Sequence, residues 1–238
     1  MFKAKIADFI IEFDNKYAFI EKICRSYIVS DGEPDIKISC TEDEIATEIS
    51  NYEEQEYSNP MYAEAICLYR NLCLQLPLYN AFVLHGAAVD VNDNTYIFTA
   101  KSGTGKTTHI ALWHRLLGYK MKIVNGDKPI LRFIDGELYV YGTPWCGKEG
   151  LNTNMRSKMK AICFLERNKE NCIRPLEKSA SAERIMSQII IPKDANGAIL
   201  TLELMDKMLN KVDTWLLGCN ISEDAARLSY ETMSGEKI

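Results

Sequence analysis

The stretch Ala100-Lys101-Ser102-Gly103-Thr104-Gly105-Lys106-Thr107-Thr108 governs the reading of this chain. It follows the apolar run Tyr96-Ile97-Phe98 and opens a segment that reads as a helix from Gly105 to Leu117, closed by Gly118. Strand, Gly-rich loop and helix in that order are the context in which a Gly-Lys-Thr match is credible. The stretch has the form of a Walker A motif, with Ala100 in place of the first Gly. Gly103 and Gly105 let the backbone wrap a phosphate without side-chain collision. Successive N–H groups then face the oxygens, and the helix adds its positive end. Lys106 is expected to reach the β- and γ-phosphates, and Thr107 to place its hydroxyl on Mg²⁺. The expected binding set is Ser102, Gly103, Thr104, Gly105, Lys106, Thr107 and Thr108. The expected ligands are ATP, or another nucleoside triphosphate, and Mg²⁺. A Gly-rich loop that only caps a helix is the alternative, and the fixed Gly-Lys-Thr order with its flanks weighs against it.

Working outward, Phe82-Val83-Leu84 and Ala87-Ala88-Val89 flank His85-Gly86, and Asn92-Asp93-Asn94 is a turn. The loop is therefore preceded by an antiparallel hairpin. After the helix come a strand from Met121 to Val124, then Asp127, then a hairpin of Ile130–Ile134 and Glu137–Tyr141 around Asp135-Gly136. Common P-loop ATPases and GTPases place the loop in a mostly parallel sheet and bring their metal-binding Asp much later, so this is a different arrangement. A Gly-containing loop, Gly142 to Gly150, leads to the apolar strand Ala161–Leu165. Ala182, Ile185, Met186 and Ile189 mark a helix stopped by Pro192, and Leu200, Leu204 and Met208 mark another. Trp215 to Leu217 reads as a late strand, and Ser222 as the N-cap of a final helix through Met233.

Upstream, Phe9 to Phe13 and Tyr27 to Val29 read as strands, with a turn at Asp31-Gly32. The polar run Glu42 to Glu56 reads as a loop with a short exposed helix. Asn59-Pro60 begins a helix over Tyr62 to Leu76 that Pro77 ends. The expected fold is α/β, with an α+β mixed sheet. Residues 1–60 form a small mixed β-rich appendage, and residues 61–238 a nucleotide-binding domain with a helical C-terminal part.

Composition narrows the function. The chain has 238 residues, enough for one large domain or a core domain with an appendage. Lys plus Arg is 28 against 33 Asp plus Glu, a net charge of −5, which argues against coating nucleic acid. No apolar run approaches the roughly 20 residues that span a bilayer, and the first segment lacks the core of a signal peptide. A cytoplasmic protein without membrane partners is expected. The eight cysteines lack metal-site spacing and read as reduced, mostly buried thiols. His109 and His114 do not share a helix face well and are not expected to be ligands.

The run from Val83 to Leu165 resembles the catalytic core of HPr kinase/phosphorylase. It is similar also to the nucleotide-binding core of ATP-dependent phosphoenolpyruvate carboxykinase, which shares that fold. The resemblance rests on His85-Gly86, on Ser102-Gly103-Thr104-Gly105-Lys106-Thr107-Thr108, and on Ile123-Val124-Asn125-Gly126-Asp127. It implies a P-loop core with hairpins flanking the loop. It implies an ATP- and Mg²⁺-dependent kinase that passes the γ-phosphate to a hydroxyl of a protein, peptide or small polyol. On the same resemblance Asp127 holds Mg²⁺, His85 lies beside the reacting phosphate, and the protein is a homo-oligomer.

One departure stands out. The family shows two adjacent acids, the first a general base, and here Gly126 occupies that place. Glu149, in the unusual loop Gly142-Thr143-Pro144-Trp145-Cys146-Gly147-Lys148-Glu149-Gly150, is a candidate replacement, and Lys148 a candidate partner for transferring phosphate. The candidate catalytic residues are thus His85, Lys106, Asp127 and Glu149, with Thr107 and Asp127 as metal ligands. Arg132 and Arg156 are weaker candidates for acceptor or phosphate contact. Cys146 reads as packing. A nucleotide-binding regulatory or interaction module without phosphate transfer is the alternative function that Gly126 motivates.

Overall fold

The computed structural model describes residues 1–51 and 59–238. The chain opens with strands β1 (Phe2–Ile6) and β2 (Phe9–Phe13), paired antiparallel. Phe9, Ile11 and Phe13 turn to one side and are buried, the period-2 pattern of a half-buried strand. Helix α1 (Ala18–Ile23), β3 (Ile28–Val29) and β4 (Ile36–Ile38) follow, and the four strands form a sheet in the order β3-β1-β2-β4. The strand expected over Tyr27 to Val29 is shorter, because Tyr27 N–H closes a 3₁₀ turn on the Cys24 carbonyl at 2.7 Å.

Helix α2 (Glu42–Ser50) starts at a capping box. Thr41 Oγ1 accepts from Glu44 N–H at 3.1 Å, and Glu44 Oε2 accepts from Thr41 N–H at 2.7 Å. This helix is less exposed than expected, since Ile45 and Glu48 are buried and Glu48 pairs with Arg70 at 2.7 Å. The rest of the polar run read as loop lies largely outside the described residues. Helix α3 (Pro60–Gln75) has Pro at its first position and an Asn59 cap, and gives way to a 3₁₀ turn at Leu76. Its residues Ala65, Leu68 and Leu72 join Ile6, Ile11 and Phe13 in one apolar cluster. Val83 and Ile130 of the second sheet belong to the same cluster.

That second sheet has nine strands: β5 (Ala81–Val83), β6 (Ala87–Val91), β7 (Asn94–Thr99), β8 (Met121–Asn125), β9 (Ile130–Ile134), β10 (Glu137–Tyr141), β11 (Arg156–Arg167), β12 (Cys172–Pro175) and β13 (Asp213–Cys219). The order β5-β9-β10-β11-β7-β6-β8 is mixed: β7 and β13 run parallel to β11, and the other pairs are antiparallel. The connection between β5 and β6 runs beside the connection between β8 and β9. Val83 faces Ile130, Leu84 N–H bonds Pro129 O at 3.3 Å, Gly86 N–H bonds Asp127 O at 2.9 Å, and Ala88 faces Asn125. The pairing keeps one antiparallel register from Ala81 to Ala88 and shifts by one residue at a bulge between Ala88 and Val89, so a single ribbon joins all four strands and the two ends of the sheet meet in it.

Helices α4 (Lys106–Leu117), α5 (Lys178–Met186), α6 (Ala195–Leu209) and α7 (Glu223–Ser234) cover this sheet. Ile97, Ile162 and Phe164 point to the face covered by α5 and α6; Tyr96, Phe98, Cys163 and Leu165 point to the face covered by α4 and α7. The helix expected to reach Ile189 ends at Met186, because Ile189 instead bridges Leu84 in extended conformation. The strand expected over Ala161 to Leu165 extends to Arg156–Arg167, since its early residues pair with β10 and its later ones with β13. Strand β12, unread in the sequence, is short and pairs with β13. All eight cysteines are free thiols. No helix among the described residues is long and apolar enough to cross a membrane.

Helix α4 is locked to α7 by a buried polar cluster. Ser229 Oγ donates to Ala226 O at 2.9 Å and accepts from Trp113 Nε1–H at 2.8 Å. His109 Nε2 lies 3.0 Å from the same oxygen and donates to it, since the single hydroxyl proton is already committed. Burial lowers the His109 pKa to about 4. An unfolded His titrates near 6.5 and binds a proton that the folded one refuses. Stability is thus expected to fall as pH drops from about 6.5 towards 4, by about 2 kcal/mol between pH 7 and 5 from this residue. Urea unfolding of wild type and His109→Gln at both pH values checks this: the wild type should lose more stability than the variant, and equal losses would refute the assignment.

Candidate active site

The Gly-rich loop joins β7 to α4. Gly103 and Gly105 have φ of 73° and 123°, where L side chains are strained, and a Cβ at either would meet open space. Glycine is needed there for backbone conformation, not for room. Gly105 supplies no side-chain cap to α4. The first-turn N–H groups of Lys106, Thr107 and Thr108 therefore have no acceptor from the helix itself. Ser102, Thr107 and Thr108 are exposed and Thr104 is half-buried. Lys106 is half-buried, and its Nζ donates to Ala100 O at 3.2 Å. Burial lowers its pKa, with the Asp127 charge opposing the shift.

His85 and Asp127 lie in the middle of the shared ribbon. His85 Nε2 is 2.9 Å from Asp127 Oδ1, and Lys128 Nζ bonds Asp127 Oδ2. Burial disfavours the Asp127 charge, yet the His85 hydrogen bond and the Lys128 charge outweigh it and hold the carboxyl well below the usual range. The backbone is fixed on both sides. His85 N–H bonds Gln188 O at 2.8 Å, and Thr99 Oγ1 donates to His85 O at 2.8 Å. Fully buried Asn125 accepts on Oδ1 from Asp127 N–H at 2.8 Å and Lys128 N–H at 2.6 Å, and donates to Thr143 O at 3.0 Å. Asn125 thus shapes the Asp127 turn, a role the sequence did not single out. An Asx pattern, Asn two residues before a turn Asp, was the available signal.

Gly126 has a steric explanation. A Cβ there would lie 3.0 Å from Cys146 O and 3.3 Å from Leu151 O, while Gly126 N–H bonds Leu151 O at 2.8 Å. The loop after β10 occupies the space a side chain would need. Gly126→Asp is therefore expected to destabilise the fold by about 1–3 kcal/mol; thermal unfolding checks this, and an unchanged midpoint would refute it. The same loop brings Glu149 to Asp127: Glu149 Oε2 and Asp127 Cβ lie 3.4 and 3.3 Å from the point where a Gly147 Cβ would be. Glu149 and Lys148 are both exposed. Cys146 is buried, bonded to Asn152 Nδ2 through Sγ at 3.0 Å, and burial raises its pKa.

Two of the sequence candidates serve the N-terminal hairpin instead. Arg132 donates to Ala7 O at 2.6 Å and stacks over Phe9, and Arg156 pairs with Asp8 at 2.9 Å. The arginine that does reach the Gly-rich loop is Arg167, at the end of β11. It donates to Thr104 O at 3.3 Å and also to Gly103 O. Nothing local in the sequence marks it, because parallel pairing of β11 with β7 brings it there.

Two cavities flank the loop. One, of about 630 Å³, is bounded by Gly103, Gly105, Thr108, Leu112, Asn220 and Ile221. The other, of about 340 Å³, lies towards α5 and Gln188. For a divalent cation the protein offers the ionised Asp127 carboxylate and the exposed Thr107 hydroxyl. Among the described residues no group of three or more His, Cys, Asp and Glu could hold a metal. That donor set fits Mg²⁺, which keeps several waters and takes its other ligands from phosphates.

No family model matches the chain, and no curated protein does either. Among solved structures it is similar to the Hpr(Ser) kinase/phosphatase from Coxiella burnetii, with 12% identity and a TM-score of 0.37 over 64% of this chain and 93% of that one.

Proposed function

We propose that this protein is an ATP- and Mg²⁺-dependent kinase built on an HPr kinase-like P-loop core. The observation that carries the reading is the His85–Asp127 pair at 2.9 Å, tied to the start of the Gly-rich loop by Thr99 at the end of β7, whose Oγ1 donates to His85 O at 2.8 Å. The triphosphate takes the free N–H groups of the loop and of the first turn of α4. The nucleoside takes the larger cavity, between apolar Leu112 and Ile221, with Asn220 in its wall.

Transfer forms a bond between the acceptor oxygen and the γ-phosphorus. It breaks the bond from that phosphorus to the bridging oxygen, and ADP leaves with the electron pair. His85 holds Asp127 through Nε2, so Nδ1 takes the acceptor proton. Lys106 stabilises charge on the transferring group. Asp127 and Thr107 would hold Mg²⁺, which when bound neutralises phosphate charge. Glu149, across Gly147 from Asp127, is the alternative to His85 as the base.

The test is transfer of labelled γ-phosphate to hydroxyl acceptors, with nucleotide affinity measured alongside. His85→Gln is expected to slow transfer about 100-fold with unchanged ATP affinity; equal rates would remove His85 from the mechanism. Gly126 favours a second reading, a nucleotide-binding regulatory module. Tight ATP binding by the wild type, with no acceptor phosphorylated and a nucleotide-dependent change of shape, would establish that reading instead.

A further inference from the structure

The smaller cavity adjoins the proposed nucleoside site and shares Thr104, Leu165, Glu166 and Arg167 with it. Its walls include Thr99, Lys101, Phe164, Glu166, Arg167, Arg184 and Gln188. Two of its wall residues hold the backbone of His85: Thr99 Oγ1 donates to His85 O and His85 N–H donates to Gln188 O, each at 2.8 Å.

The cavity's charge is unlike that of the chain. Three cationic side chains, Lys101, Arg167 and Arg184, line it against one carboxylate, Glu166, in a protein of net charge −5. Glu166 is bonded to Arg184 at 2.7 Å. Each guanidinium has five N–H donors, and the bonds to Glu166 and to the loop carbonyls leave several on both Arg184 and Arg167. Low-dielectric walls, here Phe164 and Leu165, strengthen such a field. Planar guanidinium forks suit carboxylate or phosphate oxygens.

Gln188 adds a second demand. Ser187 Oγ donates to Arg184 O at 2.9 Å, so it accepts from Gln188 Nε2, also at 2.9 Å. Gln188 Oε1 is left buried without a partner. An unsatisfied buried acceptor is costly, and a ligand hydroxyl that reached it would relieve that cost. A volume of about 340 Å³ suits a small molecule.

We infer that this cavity is the acceptor subsite, and that the acceptor is a small hydroxylated anion, a hydroxy acid or a sugar or polyol phosphate. The inference rests on the kinase reading and deepens it by naming the acceptor class. Arg184 and Lys101 hold the anionic group while a hydroxyl faces His85 and the γ-phosphate.

Binding of three probes to the wild-type protein, saturated with Mg²⁺ and a non-hydrolysable ATP analogue, tests this by calorimetry. Glycerate carries a carboxylate, glycerol 3-phosphate a phosphate, and glycerol neither. Both anions are expected to bind, glycerol at least tenfold more weakly, and inorganic phosphate to compete with the anions. Glycerate alone or glycerol 3-phosphate alone would select the carboxylate or the phosphate arm. Arg184→Gln and Lys101→Gln are each expected to weaken the anions about tenfold and to change analogue affinity less than twofold. Glycerol binding as tightly as the anions, no anion binding at millimolar concentration, or anion affinity unchanged in both variants would overturn the inference. Failure of the ATP analogue itself to bind would instead overturn the nucleotide reading beneath it.

Discussion

Lys106→Ala is expected to lower phosphate transfer from ATP by about 1000-fold. In phosphoryl transfer the protein mainly positions groups and balances charge, so a cation aimed at the moving phosphate is worth more than its small contribution to the fold. The structural cost should be low. Lys106 makes a single hydrogen bond, to the carbonyl of Ala100 at 3.2 Å, and its ammonium is held half-buried at an energetic penalty that lowers its pKa. Lys106→Met keeps the length of the stem and removes only the charge, so it should fail to the same extent. Single-turnover transfer and nucleotide affinity, measured on both variants with a thermal unfolding control, separate chemistry from folding. Transfer within threefold of wild type in either variant would eliminate Lys106 from the mechanism.

Gly142→Ala is expected to destabilise the protein by more than about 4 kcal/mol, a shift in melting temperature of about 10 °C or more. A Cβ at Gly142 would lie 1.9 Å from Thr153 O and 2.6 Å from Val124 O. Both are backbone atoms. Gly142 N–H bonds Met155 O at 3.0 Å, Thr153 N–H bonds Val124 O at 3.1 Å, and Thr153 Oγ1 donates to Ile123 O at 2.8 Å. The segment is pinned from three sides and cannot give way. This crossing holds the returning arm of the loop that carries Glu149 against the end of β8, so the same substitution should also abolish transfer. A melting temperature within 2 °C of wild type, against the roughly 10 °C expected, would show that the loop can move.

Much of the secondary structure was legible from local pattern. The hairpin Ile130–Ile134 and Glu137–Tyr141 falls on its expected residues, because Asp135 and Gly136 supply the two positive φ angles that such a turn demands. The final helix begins after Ser222, whose side chain caps Ala225 N–H. Short strands such as β4 and β12 were missed, since three or four residues carry too little periodicity. The fate of Ile189 also escaped: its apolar character fits a helix face equally well, and only the partner Leu84, about a hundred residues earlier, decides for an extended bridge.

The Gly-rich loop shows where local information ends. Its order of residues, its preceding strand and its following helix are all local, and the requirement for Gly103 and Gly105 is a property of their own φ angles. The sequence by itself therefore determined that this chain carries a phosphate-loop signature between a hairpin and a helix. The placement of His85 against Asp127 is different in kind. It depends on the register between β5–β6 and β8–β9, set by hydrogen bonds between residues about 40 positions apart. The clasp of Arg167 on the loop and the cationic cavity beside it depend on parallel pairing of β11 with β7. Side-chain packing and backbone pairing at that separation have no local signal, and only the tertiary structure could decide them.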